Sequence, residues 1–168
     1  IFWNILNFQK KTSKNFFDNN IKSLFFNILI FLIFFQIIFG AFVSGLDAGK
    51  IYQTWPLMGY SYFPDDIKLD DIKNLFNFNS HSLVQFYHRN LAYFISFYFL
   101  IMSLFIYVKK IKKLYRPLKL MLLFLIIQIL LGIFTLISGL NIFLASGHQI
   151  ISVLLVFSSI NLYYCKIK

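Results

Sequence analysis

The chain has 168 residues, of which 59% are hydrophobic and only 13% are charged. About a quarter of the residues of soluble domains are charged, and a water-soluble fold could not bury so much apolar surface, so an ordinary soluble protein is excluded. A formal net charge of +10 would suggest nucleic acid as a partner of a soluble protein. Here the basic residues lie between long apolar segments, so we expect membrane lipid headgroups as their partners and no nucleic acid.

Residues 1–23 precede the first long apolar segment. The run 1–8 is too short to span a bilayer and lacks the layout of a signal peptide, so we interpret it as the end of a preceding membrane helix in a longer protein. The lysines that follow it predict a basic cytoplasmic linker for the rest of this stretch. Residues 24–165 are then predicted to form one four-helix membrane domain.

Four apolar segments are each long enough to cross about 30 Å of hydrocarbon. We call them A, B, C and D, and they cover about residues 24–46, 83–108, 118–140 and 143–164. Short connections join B to C and C to D, which favours neighbouring helices that run in opposite directions. The predicted fold class is an all-α integral membrane protein, an antiparallel four-helix transmembrane bundle.

Charge predicts the orientation of this bundle. Lysine and arginine dominate three stretches. The region before A has Lys10, Lys11, Lys14 and Lys22, the B–C turn has Lys109, Lys110, Lys112, Lys113, Arg116 and Lys119, and the tail has Lys166 and Lys168. The A–B loop instead mixes both signs, with Lys50, Lys68, Lys73, Asp47, Asp65, Asp66, Asp70 and Asp71. The positive-inside rule therefore places both chain ends inside and the A–B loop outside. Aromatic residues of that loop predict either a belt at the membrane interface or a cap over the bundle: Tyr52, Trp55, Tyr60, Tyr62 and Phe63.

Two histidines are the strongest functional signal. His88 and His148 each lie about five residues from the outer end of their segments, about 7–8 Å below the boundary. B and D are diagonal partners in an up-down bundle, roughly 13 Å apart, which suits two imidazoles on opposite sides of a haem iron. No Cys, Glu or Asp lies at this depth to complete a zinc or di-iron site. The alternative is that each histidine merely hydrogen-bonds to a neighbouring helix.

Further polar residues accompany this pair. We expect Arg89 either to meet a haem propionate or to reach a lipid phosphate. Gln85 and Gln149 are candidates for orienting the histidine ligands. His81 falls outside the predicted span, and we interpret it as an interfacial residue.

Several motifs in order resemble one family. They are GAFVSGLDAG at 40–49, TWPLMG at 54–59, VQFYHR at 84–89 and LASGHQ at 144–149, with Gln128, Leu131, Gly132, Ile133 and Thr135 between them. Over about residues 24–164 the chain resembles the C-terminal half of the haem A synthase family. Members have two similar four-helix halves and oxidise a methyl group of haem O to the formyl group of haem A.

The resemblance implies roles for individual residues. His88 and His148 correspond to the axial ligands of a haem b cofactor, whereas substrate oxidation is placed in the N-terminal half, which has a Glu-x-x-His-Arg pattern. Gln85 stands at the position of that glutamate and cannot act as a general base, so this half is expected to have no catalytic residue of its own. The implied partners are haem O, the N-terminal half of the same enzyme, haem O synthase and a second copy of the chain. A bacterial inner membrane is favoured over a mitochondrial one.

Two other functions compete with this hypothesis. A cytochrome b-type electron carrier would use the same two ligands without modifying any haem. A structural or transport module without a cofactor would be colourless.

Overall fold

The computed structural model describes residues 1–16, 21–67 and 75–167, without the side chains of residues 21 and 22. The α-helices in these ranges are α1 (Phe2–Gln9), α2 (Ile21–Gly45), α3 (His81–Val108), α4 (Tyr115–Ile137) and α5 (Ile142–Lys166). The long helices α2 to α5 correspond to the predicted segments A to D. Some charges used to predict the orientation lie outside the described residues or side chains, namely Lys22, Lys68, Asp70, Asp71, Lys73 and Lys168.

Four helices are long and apolar enough to cross a membrane: Ser23–Gly45, His81–Val108, Lys112–Ile137 and Ile142–Lys166. Each also turns large apolar side chains outward, such as Phe34, Phe97, Leu123 and Val153, which are about half exposed. This arrangement would be costly in water and is favourable in hydrocarbon. The predicted all-α integral membrane fold is confirmed, and the chain is a multi-pass membrane protein.

The four long helices pack as a ring. Helix α2 packs on α3 and on α5, and α4 packs on α5 and on α3. Helices α3 and α5 therefore occupy opposite corners, as predicted for B and D. Along α2 and α3 the contacts run in opposite order, because Phe25 packs on Tyr98 whereas Gln36, further along α2, reaches back to His88. This order is the one expected of neighbouring helices that run in opposite directions.

The apolar core fills only one end of the ring. It comes from the first halves of α2 and α4 and the second halves of α3 and α5, and includes Phe26, Leu29, Phe99, Met102, Ile106, Leu118, Met121 and Leu162. This is the end at which the basic B–C turn lies, and we call it the basic end. His88 and His148 lie toward the other end, together with Gln36, Gln128, Gly40 and Gly132.

Helix α1 and the residues after it pack on the basic end of α5. The indole of Trp3 donates to the carbonyl oxygen of Lys14 over 2.7 Å and stacks edge-on against Tyr164. The ammonium of Lys14 donates to the carbonyl oxygens of Ile167, over 2.5 Å, and Tyr164, over 3.1 Å. These bonds satisfy carbonyl groups that a helix C-terminus leaves without partners. That residues 1–23 connect this domain to a preceding helix stays a prediction.

The described part of the A–B loop, residues 46–67, packs against the first turns of α3. Trp55 Nε1 donates to the hydroxyl of Tyr93 over 2.9 Å, and the hydroxyl of Tyr62 donates to Asn90 Oδ1 over 2.5 Å. Ser82 Oγ donates to Asp66 over 2.6 Å. The loop thus covers one side of the histidine end. His81, predicted to lie outside the span, is the exposed first residue of α3.

Candidate functional site

His88 lies in α3 and faces α2. The side-chain Nε2 of Gln36 donates to the carbonyl oxygen of His88 over 3.0 Å, and lies 3.2 Å from Nδ1 and 3.3 Å from Nε2 of the ring. Gly40, one turn later in α2, lies under the ring, because a Cβ built there would be 3.3 Å from His88 Cε1.

His148 lies in α5 and faces α4 in the same manner. Its Nδ1 is 3.0 Å from the carbonyl oxygen of Gln128. A carbonyl oxygen only accepts, so Nδ1 carries the proton and Nε2 keeps its lone pair. The amide Nε2 of Gln128, 3.2 Å from His148 Nε2, is a donor that matches this tautomer. Metal-ligating histidines usually donate from one ring nitrogen to a carbonyl in this way, while the other nitrogen binds the metal. In this structure that other nitrogen, Nε2, meets the amide of Gln128.

The two sites repeat one pattern. In α2 and in α4 a glutamine precedes a glycine by four residues, Gln36 with Gly40 and Gln128 with Gly132, and the histidine lies on the following helix. Sequence reasoning missed this role of Gln36, although the repeated spacing on the first helix of each helix pair was a detectable signal.

Of the two glutamines predicted to orient the ligands, Gln85 has another contact. Its Nε2 donates to the carbonyl oxygen of Tyr52 over 2.9 Å, and so points to the outer loop. The glutamines that contact the imidazoles, Gln36 and Gln128, lie on the neighbouring helices.

The structure brings the two histidines to the same end of the bundle, on opposite corners of the ring. Each is paired with a glutamine of the preceding helix. Among residues 1–16, 21–67 and 75–167, no three or more His, Cys, Asp or Glu come together as a metal-binding group. A site for a bare metal ion is therefore not formed there, whereas a haem requires only two imidazoles from the protein.

Arg89 follows His88 and turns toward the outer loop. Its Nη2 donates to the carbonyl oxygen of Tyr52 over 2.9 Å, and its Nη1 to that of Leu57 over 3.2 Å. Its Nε is buried without a partner. Arg89 is therefore held at the edge of the histidine end with its buried Nε–H group left to donate.

The buried polar atoms of this end fit a polar, planar ligand. In the part of the chain that the structure describes, the buried side-chain nitrogen and oxygen atoms without a hydrogen-bond partner are Gln36 Oε1, Gln85 Oε1, Arg89 Nε, Gln128 Oε1 and Thr135 Oγ1. All five belong to residues within about two helical turns of a histidine or of its glutamine partner. An unpaired buried polar atom costs free energy, so such a cluster is typical of a binding site. The donor set, two imidazoles with a free arginine N–H, fits a haem.

Comparison with known proteins identifies the family. Residues 1–160 match the family model described as cytochrome oxidase assembly protein. The chain belongs to this family. Family members among its relatives are named haem A synthase, and the chain is 44% identical over 161 residues to the one from Pelagibacter ubique strain HTCC1062, covering 94% of this chain and 46% of that protein.

Two further relatives with the same name are similar to this chain. The haem A synthase of Wolbachia pipientis wMel is 41% identical over 133 residues, which is 79% of this chain and 36% of that protein. The haem A synthase of Rickettsia felis is 38% identical over 140 residues, 82% of this chain and 41% of that protein. The chain thus spans less than half the length of these family members, all of which are bacterial. No solved structure matches the chain significantly.

Proposed function

We propose that this chain is the haem-binding half of a haem A synthase of a bacterial inner membrane. The whole enzyme would oxidise a methyl group of haem O to the formyl group of haem A. Family membership and the shared name of the relatives support this proposal. The observation that carries it is the hydrogen bond from His148 Nδ1 to the carbonyl oxygen of Gln128, which leaves Nε2 with the lone pair that an iron ligand needs.

His88 and His148 would hold a haem b between them as its two axial ligands. Their helices occupy opposite corners of the ring, so the two ligands would come from different sides of the bundle. The unpaired Nε of Arg89 would donate to a haem propionate, while its two Nη atoms keep the guanidinium in place. A haem held by two imidazoles would supply one-electron transfer.

Substrate oxidation is assigned to the other half of the enzyme. None of the four spanning helices contains an Asp or Glu. Gln85, which stands where the N-terminal half has the glutamate of its Glu-x-x-His-Arg pattern, cannot accept a proton. Proton removal from haem O would therefore depend on the N-terminal half. That half, haem O synthase as the source of haem O, membrane lipid and further copies of the chain are the proposed partners.

The first experiment is a visible difference spectrum, reduced minus oxidised, of the purified membrane protein, with the haem type identified as its pyridine haemochrome. We expect a low-spin haem b spectrum for the wild type that is lost in His88→Ala and in His148→Ala. His81→Ala is the matched control and should retain the spectrum, because His81 is exposed at the first turn of α3. A wild type that shows no low-spin spectrum after reconstitution with haem would refute haem binding.

A second experiment separates the synthase from a cytochrome b-type electron carrier. The chain is expressed together with an N-terminal half in cells that make haem O, and the extracted haems are separated by chromatography. Haem A should form with the wild type and not with His88→Ala. If His88→Ala loses its haem b and haem A still forms at the wild-type rate, the chain is an electron carrier and not part of the synthase.

A further inference from the structure

The repeated glutamine and glycine spacing has a geometric reason. In an α-helix the carbonyl group of residue i accepts from the N–H of residue i+4. The carbonyl oxygen of Gln128 therefore lies beside residue 132, and that of Gln36 beside residue 40. A side chain at either position would stand between the carbonyl oxygen and anything that approaches from the neighbouring helix. Glycine leaves the second lone pair of this oxygen accessible.

Distances from a Cβ built at each glycine show how close each imidazole lies to the helix backbone. A Cβ at Gly132 would lie 3.0 Å from Cε1, 3.4 Å from Nδ1 and 3.8 Å from Nε2 of His148. A Cβ at Gly40 would lie 3.3 Å from Cε1 and 3.8 Å from Nδ1 of His88. Contacts this short force a neighbour to move, so in both cases the imidazole occupies the space of the missing side chain.

Other glycines of the spanning helices differ from these two. A Cβ at Gly45 would meet nothing within 4 Å, and one at Gly147 would make an ordinary contact of 3.7 Å with Leu131. General helix packing through small residues therefore does not explain the tight contacts at Gly40 and Gly132.

We propose that Gly40 and Gly132 are positioning residues for the two histidines. By lacking a Cβ, Gly132 lets the imidazole of His148 reach the carbonyl oxygen of Gln128, so that Nδ1 donates to it, and Gly40 lets the imidazole of His88 lie against α2 beside Gln36. The inference rests on the proposed function only where it concerns haem, since the ring contacts are properties of the protein. With a haem bound, the hydrogen bond from Nδ1 would make the imidazole of His148 a stronger electron donor and stabilise the ferric state.

The first test needs no haem. Nitrogen-15 NMR of the imidazoles, with the 168-residue chain in lipid nanodiscs, reports which ring nitrogen carries the proton. We expect the Nδ1–H tautomer for His148 in the wild type. Gly132→Ala should reduce the Nδ1–H population of His148 and leave the His88 signals unchanged, whereas Gly40→Ala should shift the His88 signals and leave those of His148 unchanged. The change at His148 should be the larger, because its contact is 3.0 Å rather than 3.3 Å.

Gly45→Ala is the matched control, since it adds the same methyl group to α2 without a contact. Its two histidines should have wild-type spectra. If Gly132→Ala and Gly40→Ala also keep the wild-type spectra, the positioning role is refuted. Should Gly132→Ala fail to fold, Gly40→Ala, with the milder contact, still decides the question.

The second test uses the haem-loaded protein and its reduction potential. Loss of the hydrogen bond from His148 Nδ1 weakens this ligand as an electron donor, so the potential should rise in Gly132→Ala. Gly40→Ala displaces the ring of His88 and should change the electron paramagnetic resonance spectrum, whereas Gly45→Ala should change neither quantity. Unchanged potentials and electron paramagnetic resonance spectra in both variants would overturn the inference while the proposed function stands. A wild type that binds no haem would overturn the proposed function, and the tautomer measurement would still decide the positioning role.

Discussion

The side chain of Arg89 donates from Nη2 to the carbonyl oxygen of Tyr52 over 2.9 Å, and Gln85, one helical turn earlier, donates to the same oxygen over 2.9 Å. The residue next to His88 in the chain therefore also fixes the outer loop on α3. If Arg89 also donates to a haem propionate, as proposed, one guanidinium group would couple haem binding to the packing of the loop.

We predict that Arg89→Leu both loosens the loop and weakens haem retention. The carbonyl oxygens of Tyr52 and Leu57 lose a charged donor, a change that costs about 1–3 kcal/mol. Limited proteolysis should cut the loop faster, and the haem content after purification should fall. Arg116→Leu is the control, because Arg116 lies in the first turn of α4 at the basic end. Equal proteolysis rates and haem contents in the two variants would contradict the prediction.

Arg89→Lys should restore the charge but not the geometry. An ammonium group cannot donate to two separate carbonyl oxygens and a propionate with the planar geometry of a guanidinium. We therefore expect haem content between those of the wild type and Arg89→Leu, with proteolysis closer to the latter. Full recovery of both quantities would show that charge alone is sufficient.

The hydrogen bond from Trp55 to Tyr93 predicts a second attachment of the loop. Tyr93→Phe removes the acceptor of the 2.9 Å bond and should cost about 0.5–1.5 kcal/mol in local stability, measured by hydrogen exchange of the loop amides. Tyr60→Phe is the control, since Tyr60 is 99% exposed. In the double variant Trp55→Phe/Tyr93→Phe the two effects should not add, because both changes remove the same bond. Additive effects would show that the bond does not form.

The phenol of Tyr52 gives a prediction about pH. Burial first, and then its hydrogen bond to Asp66, raise the pKa of Tyr52 above the ordinary value of 10.0. A group whose pKa is raised by folding stabilises the fold at pH values below its unfolded pKa, and this contribution is lost as the pH rises through the folded pKa. The loop contact should therefore persist at neutral pH and weaken only above about pH 10.

Ultraviolet absorbance of the phenolate tests this titration, with the curve of Tyr52→Phe subtracted to isolate one tyrosine. The difference curve should have its midpoint above pH 10.0. Asp66→Asn should lower that midpoint, because it removes the negative charge beside the phenol. A midpoint below 10 in the wild type would disagree with the buried position of the ring.

We predict that Lys14 stabilises the C-terminal end of α5 at the basic end of the bundle. Lys14→Met removes the donor to the carbonyl oxygens of Ile167 and Tyr164, and should cost about 1–2 kcal/mol. Hydrogen exchange should accelerate in the last turn of α5. Lys11→Met, at an exposed neighbouring position, should leave that exchange unchanged. Similar exchange in both variants would mean that Lys14 is solvated rather than bound to the helix end.

The helices of the fold were predictable from the sequence because each must be long enough to cross the hydrocarbon of the membrane. Segment B was predicted at 83–108 and α3 covers His81–Val108, and segment D at 143–164 corresponds to Ile142–Lys166. Segment C was predicted to end at residue 140, whereas α4 ends at Ile137. Gly139 and Leu140 have positive φ angles of 71° and 64°, which no α-helix accommodates, although their apolar character continues the segment.

The sequence by itself determined the number of spanning helices, their limits within a few residues and the similar depth of His88 and His148, since these follow from hydropathy and from counting along a helix. Only the tertiary structure decided that Gln36 and Gln128, and not Gln85, contact the imidazoles, and that Gly40 and Gly132 lie under the rings. The reason is physical. Membrane helices are apolar on all sides, so their composition does not show which face turns inward, and that choice depends on how the neighbouring helix packs.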